Sequence, residues 1–207
     1  MIQAPGQPAV QPPPSGQVCT MFACDIAGFA RPGRDDEVQL YLRRALHDML
    51  RDAFTGSGIP WEQCEYHDRG DGGLVLIPPG TPAQAAIDPL PGRLAGLIRR
   101  HNRMVMEPAR MQLRVAVNIG PVYRDDHGVA GEDVTTLFRM LDARKLRHAL
   151  ADSGTELALI VSAHVYDSLV RRHPSLVDPA SFRRVTVREK QTRIRAWIYV
   201  PGDPAWS

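Results

Sequence analysis

The sequence is poor in cysteine and lysine and has no long apolar run. Its three cysteines, Cys19, Cys24 and Cys64, lack C-x-x-C spacing, which excludes a disulfide-stapled scaffold and favours a reducing cytosol. No apolar stretch approaches the roughly 20 residues that a membrane span needs. The first residues lack the basic and apolar regions of a signal peptide. We therefore expect a cytoplasmic protein without a membrane span.

Positive and negative charges nearly balance along the chain. There are 25 basic and 23 acidic residues, for a formal net charge of +2. A nucleic-acid-binding protein would concentrate basic residues on one surface, so we expect no nucleic-acid partner. Only two of the basic residues are lysines, Lys145 and Lys190. A lysine at a position where chemistry needs one is therefore informative in this chain.

The length and composition predict one folded domain with two tails. A chain of 207 residues is long enough to bury a core without disulfides or metal. Residues 1–16 contain five prolines, two glycines and no charged side chain, a composition typical of a flexible tail. We predict the folded domain over residues 17–201 and a short C-terminal tail over 202–207.

Hydrophobic periodicity predicts an α+β protein with an antiparallel-rich sheet and flanking helices. The elements follow the order βαββαββαβαββ. An apolar strand comes first, and a later pair of strands surrounds a Gly-Asp-Gly turn at residues 70–72. Helices are predicted over 84–103 and, as one continuous element that opens with two carboxylates, over 132–152.

Two aspartates stand out at the ends of predicted strands. Asp25 ends an apolar strand, and the Gly28 that follows would let backbone amides approach a ligand closely. Asp71 lies at the tip of the Arg-Gly-Asp-Gly-Gly hairpin. Either residue alone is compatible with an ordinary turn or cap. On neighbouring antiparallel strands, the two carboxylates would form a two-metal site suited to phosphoryl or nucleotidyl transfer.

Five segments resemble motifs of the class III nucleotidyl cyclases. FACDIAGFA resembles F-x-D-I-x-G-F-T, RGDGGLV resembles the G-D-G hairpin, and LRVAVNIGPV resembles R-V-G-I-x-x-G-x-V. GEDVTTLFRMLDA and VREKQTRIRAW resemble the later helix motif G-x-x-V-N-x-A-S-R-L and the closing V-K-G-K-G hairpin. The segments occur in the family's order between residues 20 and 200. The resemblance implies a ferredoxin-like, palm-type fold that converts a nucleoside triphosphate to a 3′,5′-cyclic nucleotide and pyrophosphate.

The resemblance also implies how metal and triphosphate are held. Asp25 and Asp71 match the residues that bind two divalent ions, Mn²⁺ or Mg²⁺, with the Ile26 carbonyl as a further ligand. The backbone amides of the next loop would hold the triphosphate: Ala27, Gly28 and Phe29.

Further residues match the groups that act on the phosphates and ribose. Arg139 matches the transition-state arginine, which would reach the α-phosphate across the interface of a homodimer. Lys190 matches the triphosphate-binding lysine, and Arg188 lies beside it. Thr135 stands where the family has a ribose-orienting asparagine. Arg139 is also compatible with a solvated position on its helix.

The positions that select the base depart from the purine cyclases. On an ungapped match these positions hold His67 and Gly128, which reproduce neither the adenine-selecting nor the guanine-selecting pair. His67 is equally compatible with a plain strand residue. The stand-alone pyrimidine cyclases of bacterial Pycsar anti-phage systems are similar and also have altered base-contact positions. We therefore expect a UTP or CTP cyclase in anti-phage signalling.

A second interpretation is a catalytically inactive, cyclase-like module that binds a nucleotide or a partner. Thr135 and the missing base-selecting pair favour it. Joint retention of the two aspartates, the arginine and the lysine favours the enzyme. Turnover in the presence of Mn²⁺ separates the two interpretations.

Overall fold

The computed structural model describes residues 16–175, 177–189 and 192–203. Most of the two predicted tails lies outside this part of the chain, so the tail assignments stay predictions. Lys190 also lies outside the described residues.

The described residues form an eight-stranded sheet. The strands are β1 (Gln17–Ile26), β2 (Glu65–Asp68), β3 (Gly72–Ile77), β4 (Leu113–Asp125), β5 (Gly128–Ala130), β6 (Leu157–Ser162), β7 (Arg183–Glu189) and β8 (Thr192–Tyr199). Their order in the sheet is β2-β3-β1-β4-β6-β8-β7, with β5 paired to β4. Neighbouring strands in the described part are antiparallel except for the parallel pair of β4 and β6. The predicted α+β class with an antiparallel-rich sheet is confirmed.

Helices cover both faces of the sheet, so each face buries its own apolar core. The helices are α1 (Asp36–Gly56), α2 (Leu90–Met104), α3 (Glu132–Leu141), α4 (Arg144–Ser153) and α5 (Ala163–Val165), the last followed by a π-type turn (Tyr166–Val170). The face that α1, α2 and α5 cover holds the larger core, and the face that α3 and α4 cover holds the second. None of the helices in the described ranges combines the length and apolar character that a bilayer span requires.

The central position of β1 in the sheet explains why its sequence is continuously apolar. Phe22 and Cys24 point into the larger core, whereas Met21 and Ala23 point into the second. A strand that is buried on both faces needs apolar residues at successive positions. Asp25 is the buried charged residue at the end of this run, 7% exposed.

Two predicted helices differ from the structure. Residues 84–103 form a 3₁₀ turn (Ala83–Ala86) and then α2. The single helix predicted over 132–152 is two helices, because the backbone is extended at Ala143 (φ −59°, ψ 128°). Leu137 and Leu141 lie on one buried stripe, but the next buried leucine, Leu146, follows after five residues. A continuous helix would turn Leu146 away from that stripe, so the chain breaks to bury both sets.

Candidate functional site

The structure brings Asp25 and Asp71 to the same end of neighbouring strands. Asp25 pairs with Gly72, the first residue of β3. The amide of Ile26 donates a 2.8 Å hydrogen bond to the carbonyl of Asp71. The two aspartates, which are 46 positions apart in the sequence, therefore meet through strand pairing.

Two glycines after Asp71 make this approach possible. A Cβ atom on Gly72 would lie 1.9 Å from the carbonyl oxygen of Cys24, and one on Gly73 would lie 2.4 Å from the Tyr66 ring. Any side chain at Gly72 would push the hairpin away from β1. The close packing thus fixes the backbone of Asp71 beside Asp25.

Asp25 is held in an ion pair that the sequence did not reveal. Both of its oxygens accept 2.7 Å hydrogen bonds from the Nε and Nη2 atoms of Arg114 on β4. Burial raises the pKa of Asp25 to about 6; Arg114 opposes this rise, and the carboxylates of Asp71 and Asp142 add to it. A sequence signal for Arg114 existed, since it is the single charged residue between Leu113 and Tyr123. Asp142 gave no such signal.

The donor set at this place fits a divalent ion that a substrate helps to bind. Within the described residues, no group of three or more His, Cys, Asp or Glu side chains is arranged to hold a metal ion. Carboxylate and carbonyl oxygens are nevertheless the ligands that Mg²⁺ prefers, and it is commonly bound by one or two carboxylates plus substrate phosphates. Asp25, Asp71 and the Ile26 carbonyl would supply such ligands, provided that Arg114 releases part of the Asp25 carboxylate.

The loop between β1 and α1 is fixed from both sides. The amide of Ala27 donates to the carbonyl of Gln112 at 2.9 Å, so this donor is used within the fold. The buried guanidinium of Arg34 donates to the carbonyl of Gly28 at 2.9 Å. Gly28 has a positive φ of 62°, and the Phe29 ring packs on the larger core. Arg34 is therefore a positioning residue for the loop in which the triphosphate-binding amides are predicted.

Helix α3 is fastened to β4 at its first turn. The Asn118 side chain donates to the carbonyl of Asp133 at 3.0 Å and to its carboxylate at 3.2 Å. A Cβ atom on Gly120 would lie 2.2 Å from the Asp133 carboxyl carbon, so the glycine makes room for this contact. The anchor sets the orientation of Thr135 and Arg139, which lie four residues apart and share one face of α3.

A first cavity, of about 460 Å³, lies beside this face of α3. Thr135, Phe138 and Arg139 line it together with Arg69 from the β2–β3 turn. The Arg69 guanidinium lies 4.5 Å from the centroid of the Phe138 ring. The Thr135 hydroxyl donates to the carbonyl of Gly131 at 3.0 Å, so its proton is already engaged within the helix.

Two further cavities have lining residues in common with the first cavity or with each other. The second, of about 960 Å³, shares Arg139 and Asp142 with the first and adds Arg188 from β7. The third, of about 480 Å³, shares Arg147 with the second. Its other lining residues include Ala27, Gly28 and Arg114. We call these three cavities the trough; their lining includes residues of α3, α4, β7 and the β1–α1 loop.

His67 and Gly128 lie apart from the trough. The Nε2 atom of His67 on β2 is 2.7 Å from a Glu65 carboxylate oxygen, and the other Glu65 oxygen accepts a 2.8 Å bond from Arg124 on β4. Gly128 pairs with Asp125 at the far end of β4. Neither residue lines the three cavities, but Val129, which follows Gly128 on β5, lines the first cavity together with Arg139.

Solved structures of cyclase domains have the same fold as this chain. One is an adenylate/guanylate cyclase/hydrolase from Silicibacter pomeroyi, with a TM-score of 0.61 and 22% identity over 89% of this chain and 97% of that one. Another is the guanylyl cyclase Cya2, with a TM-score of 0.62 and 18% identity over 92% and 96%. A third is the guanylate cyclase domain of RhGC from Catenaria anguillulae in complex with GTP, with a TM-score of 0.55 and 15% identity over 88% and 96%.

Comparisons of sequence alone give no relative. No family model matches the chain, and no curated protein matches it significantly. The likeness therefore lies in the three-dimensional arrangement, at identities of 22% or less for these three structures. The chain has the fold of adenylate and guanylate cyclase domains.

Proposed function

We propose that the chain is a nucleotidyl cyclase that converts a nucleoside triphosphate to a 3′,5′-cyclic nucleotide and pyrophosphate. The observation that carries the proposal is the pairing of Asp25 and Asp71 at adjacent strand ends, in a chain with the cyclase-domain fold. The resemblance of the motifs around them to class III cyclases gives independent support.

The cofactors proposed are two divalent ions, Mn²⁺ or Mg²⁺, bound by Asp25 and Asp71 with help from the Ile26 carbonyl. Such ions lower the pKa of a ribose hydroxyl and neutralise phosphate charge. Both aspartates contribute hard oxygen ligands, and the buried Arg114 beside Asp25 balances charge when no ion does so.

Arg139 is proposed to stabilise the charge that develops on the α-phosphate, and Arg188 and Lys190 to bind the rest of the triphosphate. An arginine directed at a transferring phosphoryl group contributes on the order of 10³–10⁵ in rate. The cavity that Arg139 and Arg188 share supports their acting on one anion. Thr135 would orient the ribose through its hydroxyl oxygen, which can still accept a hydrogen bond while it donates to Gly131.

The active unit is proposed to be a homodimer in which Asp25 and Asp71 of one chain face Arg139 of the other. A two-fold interface repeats any such shared site twice. His67 and Gly128, which lie off the trough of their own chain, would then contact the base bound at this interface. A pyrimidine triphosphate, UTP or CTP, is the proposed substrate, and anti-phage signalling in the cytoplasm is the proposed role.

A second candidate is a cyclase-like module that binds nucleotide without turnover. Two contacts favour it: Arg114 occupies both oxygens of Asp25, and the Thr135 hydroxyl is bonded to its own helix. In that case nucleotide would bind in the trough while the Asp25–Arg114 ion pair stayed closed.

Incubation of the purified protein with Mn²⁺ and each of ATP, GTP, CTP and UTP separately, followed by mass spectrometry, tests the proposal. A cyclic nucleotide that is absent with Asp25→Ala establishes the enzyme, and a cyclic pyrimidine establishes the base. The matched control is Asp36→Ala, which removes an exposed carboxylate at the start of α1. Thermal stabilisation by nucleotide without any cyclic product would favour the inactive module.

The biological role needs a test in cells. Bacteria that express the wild-type protein should resist phage better than bacteria that express the Asp71→Ala variant. Equal plaque counts for the two strains would contradict the proposed anti-phage role and leave the enzymatic proposal untouched.

A further inference from the structure

The second cavity of the trough is strongly basic. Among the described residues, its lining includes one acidic side chain, Asp142, whose carboxylate is 3.8 Å from Arg147. The basic lining residues come from α3, α4 and β7, and they are Arg139, Arg144, Lys145, Arg147 and Arg188. The proposed reaction uses Arg139 and Arg188, whereas the three cations of α4 have no part in it.

Arg147 stabilises the end of α3, because it donates a 2.8 Å hydrogen bond to the carbonyl of Asp142. Folding stability does not account for the other two cations, Arg144 and Lys145 at the start of α4. Their helix has no acidic residue in its first turn. Positive side chains near the start of a helix oppose the helix dipole, and neighbouring like charges repel one another. Arg144, Lys145 and Arg147 are all exposed, so they do not fill the core either. A bound anion would offset both unfavourable terms.

We propose that this cavity binds a linear polyphosphate chain, with Arg144 and Lys145 on α4 and Arg188 on β7 contacting its phosphate oxygens. Arginine binds phosphate through two parallel N–H donors, and lysine binds it as a compact charge. Several such groups around one concave surface suit a ligand with several adjacent negative charges. One of the chain's two lysines lies in this cavity.

The position of the cavity indicates which residues would lie near the ends of a bound polyphosphate. It shares Arg139 with the cavity at Thr135, and it shares Arg147 with the cavity at Gly28 and Arg114. A nucleotide whose phosphates occupy it would extend toward Arg139 and Thr135, which this chain is proposed to supply to a shared site. Gly28 and Arg114 of the same chain would then belong to the other site of the dimer. The identification of the polyphosphate as part of a nucleotide substrate, or as released pyrophosphate, rests on the proposed function. The binding of polyphosphate in this cavity does not.

Titration calorimetry with sodium tripolyphosphate, without added metal, tests the proposal. The substitutions Lys145→Glu and Arg144→Glu should each weaken tripolyphosphate binding at least tenfold. Arg172→Glu is the matched control, because it makes the same charge change on an exposed residue beyond α5. Circular dichroism verifies that the variants are folded. If Lys145→Glu does not fold, Lys145→Gln provides a milder substitution at the same position. Absence of binding to the wild type, or an equal loss in Arg172→Glu, would overturn the proposal.

The same titrations with a nucleoside triphosphate and its monophosphate distinguish two sources of the bound polyphosphate: a nucleotide or a separate polyphosphate molecule. Equal weakening of triphosphate and tripolyphosphate in Lys145→Glu, with the monophosphate unchanged, assigns the cavity to the nucleotide's own phosphates. Weakening of tripolyphosphate alone assigns it to a separate polyphosphate and overturns the link to the reaction. If no cyclic product forms but Lys145→Glu still weakens tripolyphosphate binding, the proposed function fails and the binding site stands.

Discussion

The guanidinium of Arg114 binds both carboxylate oxygens of Asp25 at 2.7 Å, from the directly opposite position on the neighbouring strand β4. Both side chains are largely buried, with exposures of 14% for Arg114 and 10% for Asp25. A divalent ion at Asp25 would have to share this carboxylate or displace Arg114 from it. The ion pair thus balances the negative charge of the buried carboxylate within the folded chain.

The first prediction concerns pH and the free energy of unfolding. Because the pKa of Asp25 in the folded protein is about 6, against 3.8 as its ordinary value, the folded state binds more protons than the unfolded state between those pH values. Ionisation of Asp25 therefore lowers stability as the pH rises from about 4 to about 6. At about 1.4 kcal/mol for each pKa unit, the decrease is about 3 kcal/mol.

The variant Asp25→Asn lacks this titration. Measured by urea unfolding, its stability relative to wild type should increase from pH 4 to pH 7.5 by up to about 3 kcal/mol. The raised pKa already includes the opposing effect of Arg114, so the pH-dependent part of the difference between the two proteins measures the whole shift. A constant difference between the two proteins across this range would contradict the raised pKa.

The second prediction concerns the hairpin glycines. Gly72→Ala should lower the free energy of unfolding by at least about 2 kcal/mol, because the new methyl group would lie 1.9 Å from the Cys24 carbonyl oxygen. The displaced hairpin should also abolish any metal-dependent activity. Thermal unfolding and the cyclase assay measure the two effects.

Gly96→Ala is the control for this substitution. Gly96 lies in α2 with no atom within 4 Å of an added Cβ, so alanine should stabilise the helix by about 1 kcal/mol. If Gly72→Ala were as stable as Gly96→Ala, the close packing of β3 against β1 would be contradicted.

The third prediction tests whether the site is shared between two chains. A mixture of inactive Asp71→Ala and inactive Arg139→Ala should regain activity, because the heterodimer contains one intact site. A mixture of Asp25→Ala and Asp71→Ala should stay inactive, since both aspartates belong to the same half of the site. Activity in neither mixture would place all of these groups in one chain.

The fourth prediction concerns selection of the base. His67→Ala should change the ratio of kcat/KM values among the four nucleoside triphosphates, while Asp25→Ala abolishes turnover of all four. Glu65 binds His67 at 2.7 Å and orients its ring, so Glu65→Gln should change the same ratio less strongly. Uniform loss of activity toward every base in His67→Ala would indicate that His67 is a plain strand residue.

Local sequence patterns were enough to predict much of the fold. The apolar run that ends at Asp25 predicted a buried strand, and it lies in the centre of the sheet because both of its faces are covered. The hairpin at Asp71 was recognisable because tight turns need glycine and aspartate. The break at Ala143 was missed because neither glycine nor proline marks it; only the shifted phase of Leu146 does.

Residue types and their order along the chain were enough to single out Asp25 and Asp71 as candidate oxygen ligands. The phosphate-directed role of Arg139 came from the resemblance to class III cyclases and stays a prediction. Tertiary structure alone decided that Arg114 binds Asp25, that Asp142 lies close enough to raise its pKa, and that α4 brings cations beside Arg188. These contacts join strands and helices that are distant in the sequence. They depend on strand register and on the break between α3 and α4, which packing determines and local propensity does not.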